Sequence, residues 1–138
     1  MYYEINEELC KRGHEQNHLI TDYKPGSTTA SYRAAVDAFA AKCEAAKQGC
    51  RPGHEAKLDA LADRYARRLA AYYNNSAANN ARHVSWFVAG PSNYNMRAHE
   101  KWSRREEKLR EDWNAIQRME DEISRAAGDP STILSGDP

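Results

Sequence analysis

Helical periodicity runs through most of this chain and is broken most sharply at Trp86-Phe87-Val88-Ala89-Gly90-Pro91-Ser92-Asn93-Tyr94-Asn95-Met96-Arg97. Gly90-Pro91 removes one side chain and one backbone donor, so the chain must turn there, while Ser92, Asn93 and Asn95 can bond their own backbone or a ligand. A loop between two rigid helices that offers amides, a phenol and a guanidinium together is a typical place for recognition. The stretch therefore predicts two long helical arms joined by a binding loop. The candidate contact residues are Asn93, Tyr94, Asn95, Arg97, Lys101 and Arg104, with Gly90 and Pro91 as the structural turn.

The rest of the pattern reads as all-α, a bundle of three to four helices with a long C-terminal one. Residues 2–18 are expected as a first helix with Tyr2, Ile5, Leu9 and Cys10 inward, weakened by Gly13. Pro25-Gly26 punctuates a linker, after which Ser27 or Thr28 is expected to cap a helix running to about Gln48. Its inner face is Tyr32, Val36, Phe39 and Cys43, and Gly49 ends it. After Pro52-Gly53, a stripe of Leu58, Leu61, Ala62, Tyr65, Leu69 and Tyr72 marks a third helix. The asparagines between 74 and 80 compete with helix through local side-chain bonds, so fraying is expected between 74 and 83. Residues 84–88 can form a short extended piece. From 97 to 127, Trp102, Leu109, Ile116 and Ile123 recur every seven residues, joined by Trp113, and predict a rod of about 45 Å. That seam reads as internal packing, with a homodimer through it as the alternative.

Gly128-Asp129-Pro130 stops the rod, so residues 1–128 are expected as a single domain. Residues 129–138 are expected as a tail leading to a further segment, since an aspartate followed by proline often begins a helix.

At 138 residues with 41% hydrophobic content, one modest core is possible. Much of the apolar supply is alanine, so burial at about 25 cal/mol per Å² must come from the leucines, isoleucines, Val36, Phe39 and the aromatics. There is no apolar run of membrane-spanning length, and the acidic start is unlike a secretion signal, which places the expected location inside the cell. Three cysteines, Cys10, Cys43 and Cys50, fit reduced, mostly packed thiols rather than a disulfide framework.

Net charge is zero but segregated. Residues 1–50 carry six cations against seven carboxylates, 51–110 twelve against six, and 111–138 two against seven. The middle is a basic island suited to phosphates, and the acidic end suits a basic protein surface. Arg82, Arg97, Lys101, Arg104 and Arg105 flank the turn with Trp86, Tyr94 and Trp102 interleaved, a mixture that can neutralise phosphates while stacking bases. The ordinary reading makes Trp86, Phe87 and Trp102 core anchors, and lets i,i+4 pairs lace the Arg-Arg-Glu-Glu-Lys run at 104–108.

No nucleotide loop, nucleophile elbow or His-Glu-x-x-His is present, and no cofactor is implied. Cys10, His14 and His18 at i, i+4 and i+8, and Cys43, Cys50 and His54, are loose metal-ligand sets without a recognised zinc spacing. His83 with Ser85 or Tyr94, and His99-Glu100, can be paired into acid-base chemistry on paper only.

Several segments resemble a family of small proteins carried by phages, plasmids and conjugative elements of Gram-positive bacteria. They are Met1 to Leu9, Asp22 to Ser27 with Tyr32-Arg33 and Val36-Asp37, His54 to Asp59, Tyr65 to Leu69, and Ala89-Gly90-Pro91-Ser92-Asn93-Tyr94 followed by Arg97 and Glu100-Lys101. The last is the most specific signature. The family's Pro-Val-Arg-Lys is replaced here by Tyr94-Asn95-Met96-Arg97-Ala98-His99, which leaves Arg97 as the carried-over residue. Some similar proteins are associated with anti-CRISPR activity. The resemblance thus implies a counter-defence protein acting in the bacterial host cytoplasm, and with no catalytic signature in the residues the leading expectation is a non-enzymatic inhibitor with a CRISPR effector or its guide RNA as partner. Alternatives are an RNA-cleaving or guide-processing inhibitor and a nucleic-acid-binding accessory protein of a phage or plasmid.

Overall fold

The computed structural model describes residues 1–17, 21–83 and 96–128. These form an all-α bundle of α1 (Glu7–Asn17), α2 (Ser27–Lys47), α3 (Glu55–Arg82), α4 (Met96–Arg118), a 3-10 turn (Met119–Asp121) and α5 (Glu122–Ala126). The extended piece expected at 84–88, the loop residues Gly90, Pro91, Asn93, Tyr94 and Asn95, and the tail at 129–138 lie outside the described residues.

The centre of the bundle is α3, which packs against α1, α2 and α4. The expected inner face of α2, Tyr32, Val36, Phe39 and Cys43, is buried against Leu58, Leu61, Tyr65 and Leu69 of α3 in one core. Phe39 and Tyr65 stack with ring centroids 4.0 Å apart, so two large rings contribute the area that alanine cannot. Tyr32 is fully buried and donates its hydroxyl to the Ala66 carbonyl at 2.8 Å, which satisfies its polar end inside the core.

The first helix begins later than its periodicity predicts. Residues 1–6 are non-helical, because their hydrogen bonds go to other elements. Asn74 of α3 donates to the Glu4 carbonyl at 2.9 Å and accepts from the Asn6 amide at 2.8 Å. Tyr2 and Tyr3 donate to Asp37 of α2 and Asp63 of α3. Three long-range side-chain anchors thus replace one turn of helix.

Neither Ser27 nor Thr28 caps α2. Gly26 occupies the cap position in a left-handed conformation with no side-chain cap bond, and the carboxylate of Glu7 in α1 accepts from the Gly26 and Thr29 amides instead. A charged acceptor at a helix N-terminus satisfies two orphan donors and meets the positive end of the helix dipole.

The expected fraying at 74–83 does not occur, and α3 runs unbroken to Arg82. The side chains of Asn74 and Asn79 spend their hydrogen bonds on other segments, so they do not compete with their own backbone. Asn79 is 2% exposed and donates to the Trp102 carbonyl and to Glu106 of α4. The Asn80 carbonyl accepts from Asn17 of α1.

The C-terminal rod is also not continuous, since the 3-10 turn interrupts it after Arg118. Leu109, Ile116 and Ile123 are buried and Trp102 is half-buried, so the seven-residue seam serves packing within the chain. Gly128 ends α5 with φ 74, a left-handed value that suits glycine. Two of the last carbonyls are taken by the Arg51 amide, on Ala127 at 3.0 Å, and the His54 ring, on Ala126 at 3.1 Å. His54 thereby acts as a helix-end donor.

Candidate nucleic-acid interface

Of the expected contact residues, Arg97, Lys101 and Arg104 stand exposed on α4. With Lys108 they recur at i, i+4, i+7 and i+11, which at 100° per residue confines four cations to a stripe about 60° wide. The stripe extends for about 16 Å along the helix. The hydrophobic face of the same helix, carrying Leu109 and Ile116, is turned into the bundle.

The i,i+4 lacing expected for 104–108 is largely missing. Within α4 Lys108 pairs with Asp112 at 3.3 Å, whereas Arg82, Arg97, Lys101, Arg104 and Arg105 make no ion pair among the described residues. Glu106 is turned to Asn79 of α3, and Glu100, spaced to reach Arg97 or Arg104, makes no ion pair among the described residues. Apart from Lys108, the cations of the stripe keep their charge available to an anion, and such rows dominate affinity for phosphate backbones.

Between α3 and α4 the surface falls into a groove of about 430 Å³, lined by Arg82 of α3 and Arg104, Arg105, Lys108 and Asp112 of α4, with Asn75 and Asn79 on the α3 side. The amide of Asn79 is oriented by its two carbonyl-type acceptors, which fixes nitrogen towards α4. Its Oδ1 is buried without a partner. A second hollow of about 360 Å³ shares Asn75 and Asp112 and continues to Arg68 and Tyr72. Sequence reading assigned Tyr72 to the core stripe and the asparagines to a frayed end, so the α3 wall of this groove was missed. The signal was present as Arg68, Asn75, Asn79 and Arg82, which fall on one helical face at spacings of seven, four and three.

The histidines form a different cluster. His83, the residue after α3, has Nε2 3.3 Å from Nδ1 of His99 and Nδ1 2.9 Å from Asn17 Oδ1. Asn17 donates its amide nitrogen to the Gly13 and Asn80 carbonyls, which fixes its oxygen toward His83. His83 therefore donates from Nδ1, and in its neutral form Nε2 accepts from His99. Trp102 stacks on His83 with centroids 4.2 Å apart. Burial first, and then the charge of His99, lower the pKa of His83. With both ring nitrogens bonded, His83 ties α1, α3 and α4 together and offers no open nitrogen to a substrate. It adjoins a cavity of about 380 Å³ lined in part by Cys10, His14, Tyr73 and Trp102.

Cys10 and Cys43 are buried free thiols whose pKa values burial raises. His14 is bonded to the Thr21 carbonyl at 2.9 Å, and His18 lies outside the described residues. Among the described residues no group of three or more His, Cys, Asp or Glu side chains can hold a metal ion, and no helix is long and apolar enough to cross a membrane. No family model, curated protein or solved structure matches the chain.

Proposed function

We propose that this protein is a non-enzymatic counter-defence protein of a mobile element, which binds the guide RNA of a CRISPR effector through the cation stripe of α4 and the adjoining groove. The observation that carries the reading is the set of five exposed cations, Arg82, Arg97, Lys101, Arg104 and Arg105, without ion-pair partners among the described residues. Cations held by intramolecular carboxylates would have to break those pairs to take a phosphate. Among the described residues these have none to break, and Asn79 ties α3 to α4. The partner class, RNA in a bacterial effector, rests on the family resemblance together with this charge pattern.

RNA is favoured over a protein partner because four cationic side chains, Arg82, Arg104, Arg105 and Lys108, line the groove, whereas among the described residues the exposed large apolar side chains are Met1, Tyr2, Met96 and Trp113, none of which lines it. The site acts by occupying RNA, so no catalytic residue is assigned.

The test is target cleavage by a guide-loaded effector with and without the purified protein, alongside direct binding to the free guide. Inhibition that tracks guide affinity, and is lost in an Arg104→Ala/Arg105→Ala variant that remains folded, is the expected result. Full inhibition by that variant, or shortening of the guide during incubation, contradicts the reading.

A further inference from the structure

We infer that the hollow at Tyr72 is a base pocket, so that the groove takes an unpaired nucleotide of the RNA with its base at Tyr72 and its flanking phosphates on the cations of α4. This rests on the reading of the cation stripe as an RNA-binding face, and adds what part of the RNA is recognised.

The two hollows are one groove with two chemistries. At the Arg104 end the wall is cationic, with Arg82, Arg104, Arg105 and Lys108. Farther along, Tyr72, Ala71, Ala115 and Ile116 make an aromatic and aliphatic lining. Asn75 and Asp112 line both, so the two hollows adjoin along the same stretch of the α3–α4 seam. The distance along α4 from Arg104 to Ala115 is about 16 Å, within reach of a short oligonucleotide.

A nucleobase is a flat apolar plate with hydrogen-bonding edges, and the second hollow offers the complement. Its volume, about 360 Å³, lies in the range of small-ligand pockets. The ring of Tyr72 packs against Trp113, which does not line the hollow, with centroids 5.1 Å apart and planes tilted by 43°. The small side chains of Ala71 and Ala115 leave room beside it. Asn75 is exposed and carries both a donor and an acceptor, Asp112 supplies acceptors, and Arg68 supplies donors at the rim. Lys108 pairs with Asp112, which neutralises the one carboxylate that would otherwise repel an adjacent phosphate. Only an unpaired base can enter such a pocket, since in a duplex its faces are covered by its neighbours and its edge by its partner.

The experiment compares binding of a single-stranded RNA with that of an abasic strand of equal length, which keeps the phosphates and lacks the bases. The wild-type chain is expected to bind the RNA about tenfold more tightly, the scale of one stacked base. Tyr72→Leu should bring the two affinities together while leaving the abasic strand unchanged. Ala71→Phe, a substitution at an exposed position that fills the hollow, should do the same and serves if Tyr72→Leu does not fold. Equal, salt-sensitive binding of both strands by the wild-type chain overturns the base pocket while leaving the phosphate reading in place. A preference that survives Ala71→Phe also overturns it. Failure to bind either strand overturns both.

Discussion

The carboxylate of Glu7 lies across the N-terminus of α2 from Thr29 and accepts both its amide and its hydroxyl proton. The same carboxylate takes the Gly26 amide and the Tyr23 hydroxyl, so one side chain of α1 caps the neighbouring helix and fixes the linker between them.

Burial works against the ionised form of Glu7, but the hydrogen bonds from Thr29, Tyr23 and Gly26 outweigh it and hold the carboxyl below the usual range. A depressed carboxyl stabilises the fold above the unfolded value of about 4.3, and the contribution is lost as pH falls through the lower folded value. Glu7→Ala is expected to cost about 1–3 kcal/mol at neutral pH. Denaturant unfolding at pH 7 and pH 3 checks this, with a smaller difference between variant and wild type in acid.

Gly13 sits where α1 crosses α3, and a Cβ there would lie 2.9 Å from the Asn80 Cβ and 3.2 Å from the Ala77 carbonyl. Helix propensity alone favours alanine by about 1 kcal/mol. The close approach of backbone to backbone is the larger effect, so Gly13→Ala is expected to destabilise by about 1–2 kcal/mol net. A rise in unfolding midpoint would show that the two helices can separate at no cost.

His83 is held neutral by burial and by His99, with Glu106 acting weakly in the opposite sense. For an imidazole with a lowered folded pKa, the stabilisation is present above the unfolded value of about 6.5 and is lost as pH falls below it. Unfolding free energy is therefore expected to drop between pH 7 and pH 5, and His83→Gln to flatten that slope. Chemical-shift titration of the His83 ring checks the cause directly, with a midpoint below 6.5 expected.

The helices were legible in the sequence wherever burial followed a helical period. Tyr32, Val36, Phe39 and Cys43 on α2, and Leu58 to Leu69 on α3, are core as their spacing required. What escaped was set by contacts between elements. Nothing local to Ser27 or Thr28 shows that Glu7, some twenty positions earlier, supplies the cap. Asn74 and Asn79 carry a local propensity for turns, but their partners on the N-terminal segment and α4 override it. The cations of the candidate site were legible as a basic island. Their lack of partners was not, because i,i+4 spacing between Glu100 and Arg104 allows a pair without requiring one. The α3 wall was hidden for the same reason, since only the packing of α4 turns Asn75 and Tyr72 into a groove.

The central claim, that unpaired cations of α3 and α4 bind a phosphate backbone, is tested most directly by the salt dependence of RNA affinity. If about four of them contact phosphates of a single strand, a plot of log affinity against log salt has a slope of about −3, and Arg104→Ala/Arg105→Ala makes it shallower by about 1.4. A flat plot for the wild-type chain, or the same slope in both proteins, contradicts the account.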